Sequence, residues 1–241
     1  PIVFLYHGIW VAFFAFSAFV AALAMWNAES YPARVKFIII AGYLGVVLVL
    51  CRTLASMIYG GFAALAILFL KRGAQMRLAM LLAVLAMSYP LLKGADLVPT
   101  RAILEQAERV SPERAASLRF RLDNEDVLLD RANEKPVFGC GSWGRNHVYD
   151  TVTGKVLSVT DGRWVLVLGL FGWVGFLAEF GLISLPIFLI WREVRRRSEM
   201  QRTGMSWDQG PDDKASGIDV AVPLSAYLGP LCLLLAINLF D

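Results

Sequence analysis

The chain has 241 residues, of which 57% are hydrophobic and only 18% charged, with a mean hydropathy of +0.58 and a net charge of +3. Soluble domains carry about 25% charge, so a disordered chain, a basic nucleic-acid-binding domain and an ordinary cytosolic globule are excluded. The net charge is too small to imply a polyanionic partner. Cys51, Cys140 and Cys232 are too scattered for a disulfide framework or a zinc site, and neither a metal nor a cofactor is expected.

Long uncharged runs predict an all-α polytopic membrane protein with about six transmembrane helices and a partly helical extracytoplasmic loop. The runs are Ile9–Trp26, Phe37–Cys51, Thr53–Leu70, Leu78–Leu92, Trp164–Ala178 continued by Phe180–Trp191, and Val220–Phe240. A bilayer core takes about 20 apolar residues at ~1.5 Å each. The second run, 15 residues long, must therefore extend past Lys36 or carry Arg52 at its far rim. The resulting division is four spans in 1–97, a loop domain in 98–163, a span in 164–191, a basic loop in 192–217 and a last span in 218–241. The start at Pro1 and the end just after an apolar run predict a fragment of a longer membrane protein, with earlier spans missing.

Basic residues orient these spans. Lys71, Arg72 and Arg77 fill one short loop, and Arg192, Arg195, Arg196 and Arg197 open another. The positive-inside rule puts both in the cytoplasm, which leaves 98–163 and the turn at Arg52 outside. The outer segment carries ten basic and ten acidic residues. Within it, Pro99–Val110, Ser111–Phe120 and Leu122–Asn133 read as helices, with Ser111 as an N-cap ahead of Pro112. Leu122, Leu128, Leu129 and Ala132 offer an apolar face. A glycine-rich loop, Phe138–Gly144, and a short hairpin in Thr151–Thr160 complete the segment.

Six residues are candidates for chemistry. Arg52 at the rim of a span is either a snorkelling cation or a functional one. Arg121 and Arg145, with Arg119 and Arg131, lie where guanidinium forks suit a diphosphate, although ten acids in the same segment make surface pairing the commoner fate. His147 is of the residue type that most often serves as a general acid or base, but a lone loop histidine is more often structural. Asp161 is either a general base at the membrane surface or a cap for the helix that starts at Gly162 or Arg163. Glu179 lies inside the fifth span, near a face made small by Gly169, Gly172 and Gly175, where it pairs with a neighbour or lines a polar cavity. Gly139–Gly144 lacks the lysine and the strand-to-helix setting of a phosphate loop, so a tight turn back toward the membrane is expected there.

Three stretches, in order, carry a family likeness: Leu50-Cys51-Arg52-Thr53-Leu54-Ala55; Arg121-Leu122 with Leu128-Leu129 and Pro136-Val137-Phe138-Gly139-Cys140-Gly141; and Phe171-Gly172-Trp173-Val174-Gly175. Over roughly residues 35–190 the chain resembles the O-antigen ligase and O-antigen polymerase family of bacterial inner membranes. The resemblance implies a metal-independent glycosyltransferase. It would move a glycan from an undecaprenyl-diphosphate-linked donor to a glycan or lipid-linked acceptor on the periplasmic face, in contact with membrane lipids and without nucleic acid. By position Arg52 and Arg121 look like the family's two diphosphate-holding arginines. The family's acceptor-activating histidine falls on Asp161, which leaves Asp161 or His147 as the base and fits a divergent, exopolysaccharide-polymerase-like branch. The competing expectation is a transporter, flippase or membrane scaffold without covalent chemistry. Transporters favour several intramembrane charges and broken helices.

Overall fold

The computed structural model describes residues 8–203 and 227–240. Eight helices follow in chain order: α1 (Gly8–Ala28), α2 (Ala33–Leu50), α3 (Leu54–Phe69), α4 (Arg72–Gly94), α5 (Thr100–Val110), α6 (Pro112–Asn133), α7 (Arg163–Thr203) and α8 (Leu228–Asn238). Among the described residues, β structure is limited to one isolated bridge between Tyr149 and Val156. The expected hairpin is present in minimal form: Asp150 N–H donates to the Lys155 carbonyl and Leu157 N–H to the Val148 carbonyl, each at 2.8 Å, around a turn at 150–154 in which the Asp150 carboxylate accepts from the backbone N–H groups of Val152 and Thr153 at 2.7 and 3.0 Å. Those two bonds, Thr153 first, hold the carboxyl below the usual carboxylate range.

Among the described residues the fold is all-α, and four of the helices are long and apolar enough to cross a membrane: Gly8–Ala28, Ala33–Leu50, Arg72–Gly94 and Arg163–Arg196. The expectation of six spans is corrected to this extent. α3, 16 residues long, reaches about 24 Å, short of a ~30 Å hydrocarbon core. α8 has 11 residues, and residues 220–226 of the expected sixth span lie outside the described residues. α2 starts at Ala33, past Lys36, the first of the two expected ways of lengthening it, and Arg52 sits beyond its other end in the turn to α3. α7 runs on to Thr203, so the first part of the expected 192–217 loop is helical; 204–217 lies outside the described residues.

The chain divides into two compact units, one made of residues up to Leu82 with Leu185–Asn238, the other of Ala83–Ser184 with the residues from Leu239 onward. In the first, α1 packs against α2, α3 and α8 through a face that includes Ala12, Ala15, Phe16, Val20 and Leu23. α2 buries only Ala41 and Leu48, leaving Ile38, Ile39, Ile40, Tyr43, Val46, Val49 and Leu50 uncovered. An apolar helix with so little protein over it is a surface made for lipid. The α3–α4 junction is held by Gln75, whose side-chain amide donates to the carbonyls of Leu70 and Ile67 at 3.0 and 3.3 Å.

In the second unit α5 packs on α6. The two short helices expected between Ser111 and Asn133 are one, since Arg121 and its neighbours continue the helix without a breaking residue. It begins at Pro112 after an extended Ser111, as the proline predicts, although the serine side chain makes no capping bond.

The decisive feature is in α7. Gly172 has φ 64 and ψ −164 and breaks the helix. Arg163 and Glu179 would be about 24 Å apart along an unbroken helix, too far for their side chains to meet. Arg163 Nε nevertheless donates to Glu179 Oε1 at 2.6 Å. The arm 163–171 therefore doubles back along the start of the arm 173–203. The break leaves backbone groups without helical partners, and the chain segment Pro136–Gly141 supplies them. Cys140 and Gly141 N–H donate to the carbonyls of Gly169 and Leu170 at 2.8 and 2.9 Å, while Trp173 and Val174 N–H donate to those of Pro136 and Val137 at 2.7 and 3.2 Å. A Cβ on Gly139 or Gly172 would lie within 2.6 Å of the opposing backbone, so glycine is required at both. The glycine-rich loop is thus a clasp on a reversed helix, a more specific role than the tight turn expected of it. The run after the break, 173–196, reaches about 36 Å and is long enough to span by itself.

Candidate functional site

The second unit contains a cavity of about 500 Å³. Its walls are mostly apolar: Leu85, Ala86 and Leu92 of α4, Leu97, Val98 and Pro99 ahead of α5, Phe180 of α7, and Leu239 and Phe240. Four polar side chains face it, Tyr89, Glu125, Arg163 and Trp164. Few polar groups converging on an apolar pocket is the pattern of a small-molecule or lipid site.

Glu125 is at the centre of that group. Tyr89 Oη donates to its Oε2 at 3.1 Å, and the Trp164 indole donates to the same carboxylate. Tyr89 and Trp164 meet edge to face at 5.1 Å between ring centres, which fixes both donors. Burial pushes the Glu125 carboxyl above its ordinary value, against the hydrogen bond from Tyr89, the nearby Lys93 ammonium and the bond from Trp164, with Asp126 adding to the rise. Lys93 is itself buried and bonds Asp126 Oδ1 at 2.8 Å.

One turn earlier on the same face of α6, Arg121 Nε donates to Asp161 Oδ2 at 2.9 Å. The Asn124 side-chain carbonyl accepts from Val159 N–H at 2.8 Å. These two bonds tie the segment 159–161 to α6 and deliver Gly162, Arg163 and Trp164 to the cavity. Asp161 accordingly turns toward Arg121, and Gly162 stands at the start of α7.

The remaining candidates are placed as follows. Arg145 Nε donates to the Ser142 carbonyl at 3.1 Å and holds the 142–145 turn. His147 Nδ1 lies 3.3 Å from Ser158 Oγ, which also accepts from Val148 N–H at 3.0 Å. Neither residue lines the cavity. Glu179 is paired with Arg163, a neutral couple inside an apolar helix, as the cost of a lone intramembrane carboxylate demands. Its partner is on its own chain segment across the Gly172 reversal, not on a neighbouring span. Arg52 belongs to the first unit, where it is exposed and held at φ 53, with no ion pair or side-chain hydrogen bond among the described residues.

Tyr89, Lys93 and Glu125 were not candidates from sequence. The signal lay in α6: Glu125 falls three residues after Leu122 and four before Leu129, within the apolar stripe. A carboxylate on a buried face is informative.

Comparison with protein-family models, with curated proteins and with solved structures gives no match.

Proposed function

We propose that the protein transfers a glycan from a polyprenyl-diphosphate-linked donor to an acceptor sugar at the outer face of a bacterial inner membrane, in the manner of O-antigen polymerases and ligases. The observation that carries this reading is the guanidinium of Arg121 on α6, one turn from a largely apolar cavity that Glu125 of the same helix face lines. Such a site suits a molecule with an apolar tail and an anionic head. Arg121, held at Nε by the Asp161 carboxylate, would offer its terminal N–H groups to diphosphate oxygens, and the family resemblance makes Arg52 the second diphosphate-holding arginine. Both would stabilise the negative charge that grows on the leaving diphosphate.

A broken helix is also a feature of transporters, where the freed backbone groups hold the substrate. Here Pro136–Gly141 already occupies those groups at the Gly172 break, which favours surface chemistry over translocation.

The test is transfer by the purified protein in lipid vesicles. Arg121→Ala and Arg52→Ala should each lower the rate at least tenfold. Arg119→Ala, which removes an exposed guanidinium 3.8 Å from Glu108, should leave it unchanged. Full activity in the first two variants refutes the reading.

A further inference from the structure

Glycosyl transfer to a hydroxyl needs a group that accepts the hydroxyl proton, positioned within hydrogen-bond reach of the reacting atoms. Asp161 and His147 are the residues that sequence position offers. Asp161 is engaged by Arg121 at 2.9 Å, His147 is engaged by Ser158 at 3.3 Å, and neither faces the cavity. Among the described residues one carboxylate does. Glu125 lines the cavity beside Trp164 and Arg163, and it lies four residues after Arg121, hence on the same side of α6. Two neutral donors, Tyr89 Oη and the Trp164 indole, aim it as an acceptor.

We propose that Glu125 is the catalytic base of the transfer, with Tyr89 and Trp164 as positioning residues and Asp161 as the tether of Arg121. This rests on the transferase reading above. In the step, the acceptor oxygen forms a bond to the anomeric carbon of the donor sugar while the bond from that carbon to the diphosphate oxygen breaks. The electron pair leaves on the diphosphate beside Arg121. The hydroxyl proton passes to Glu125 and from there to water, so no other reactant is needed.

The groups facing Glu125 are Tyr89 and Lys93 from α4, Asp126 from α6, and Trp164 from α7, with Arg163 on the cavity wall. Burial dominates over them and makes Glu125 a stronger base than a surface carboxylate. The base form is the ionised one, so the rate should fall as pH drops through the raised Glu125 pKa and be flat above it until another group titrates.

The experiment uses the purified chain in phosphatidylethanolamine–phosphatidylglycerol vesicles with a panel of synthetic undecaprenyl-diphosphate-linked oligosaccharides. Wild type is compared with Glu125→Gln, Glu125→Asp and Asp161→Asn. Glu125→Gln should lower kcat about a hundredfold or more, the span general-base removal gives, leave donor KM within about threefold, and abolish the acidic limb of the pH profile. Glu125→Asp should recover part of the rate. Asp161→Asn should raise donor KM more than it lowers kcat. An active wild type whose Glu125→Gln variant keeps kcat and the acidic limb overturns the base assignment alone. Absence of transfer by wild type from every donor overturns the transferase reading, and this role with it. If Glu125→Gln does not fold, the Glu125→Asp rate and the wild-type pH profile decide, and a profile without an acidic limb overturns the assignment.

Discussion

Replacing Gly172 by alanine probes the reversal of α7 on which the cavity depends. Backbone near φ 64 and ψ −164 is a region that only glycine enters freely, and a side chain there costs about 1–3 kcal/mol. The added Cβ would lie 2.4 Å from the Val137 carbonyl oxygen and 2.6 Å from Gly139 N. Both are backbone atoms that cannot rotate aside. Relief requires withdrawal of 136–141, which weakens its hydrogen bonds to 169–174 at about 1 kcal/mol each. Strain plus two or three lost bonds amounts to roughly 3–6 kcal/mol, a large share of a total stability of about 5–15 kcal/mol. Gly172→Ala should therefore melt roughly 10 °C or more below wild type, read by tryptophan fluorescence in detergent. Gly181 lies on the same helix with open space around its Cβ position, and Gly181→Ala should be neutral or gain up to about 1 kcal/mol. Equal melting of Gly172→Ala and wild type, or an equal loss in Gly181→Ala, refutes the reversal.

The Arg163–Glu179 pair should show coupling of about 1–3 kcal/mol in a double-mutant cycle of Arg163→Ala and Glu179→Ala; strict additivity would mean the two arms do not meet. The Glu125 carboxyl is raised in the folded protein, so the folded state holds its proton more tightly than the unfolded one. Its contribution to stability is full below the unfolded pKa of about 4.3 and is lost as pH rises through the folded value. Melting curves from mildly acidic to neutral pH should therefore show Glu125→Gln gaining on wild type as pH increases, and parallel curves would contradict the burial effect. Lys93→Met, with Asp126 left exposed to water, should be better tolerated than Asp126→Ala, which strands a buried ammonium at a cost of about 3 kcal/mol or more; the reverse order in melting temperature would count against the pairing.

The helices were legible because uncharged runs of spanning length have few other uses. The length arithmetic on the second run called for a helix reaching past Lys36 or carrying Arg52 at its rim, and the helix takes the first course, starting at Ala33. The reversal in α7 was hidden because two apolar arms joined at a sharp break have the same composition as one long helix. A trace was present all the same: the 28 residues Trp164–Trp191 would reach about 42 Å, more than a ~30 Å bilayer core needs. Gly169, Gly172 and Gly175 read as a surface for a neighbouring span, whereas Gly172 serves the helix's own fold. The Arg121–Asp161 pair joins two residues that had been separate candidates, 40 positions apart and without local pattern to link them. Glu125 is one of ten acids in a charged segment. Only its register against Leu122 and Leu129 set it apart.

The clasp between Pro136–Gly141 and the break in α7 also has a consequence for biogenesis. Residues 136–141 emerge from the ribosome before the backbone they must bond, and at ~5–20 residues per second the delay is on the order of seconds. During that interval Cys140 and its neighbours have no partners at 169–174, and the wall of the cavity formed by Trp164 and Phe180 does not yet exist. The nascent chain therefore cannot hold a ligand in this cavity until the last part of the unit has been made, and the site matures only after α7 has folded back on itself.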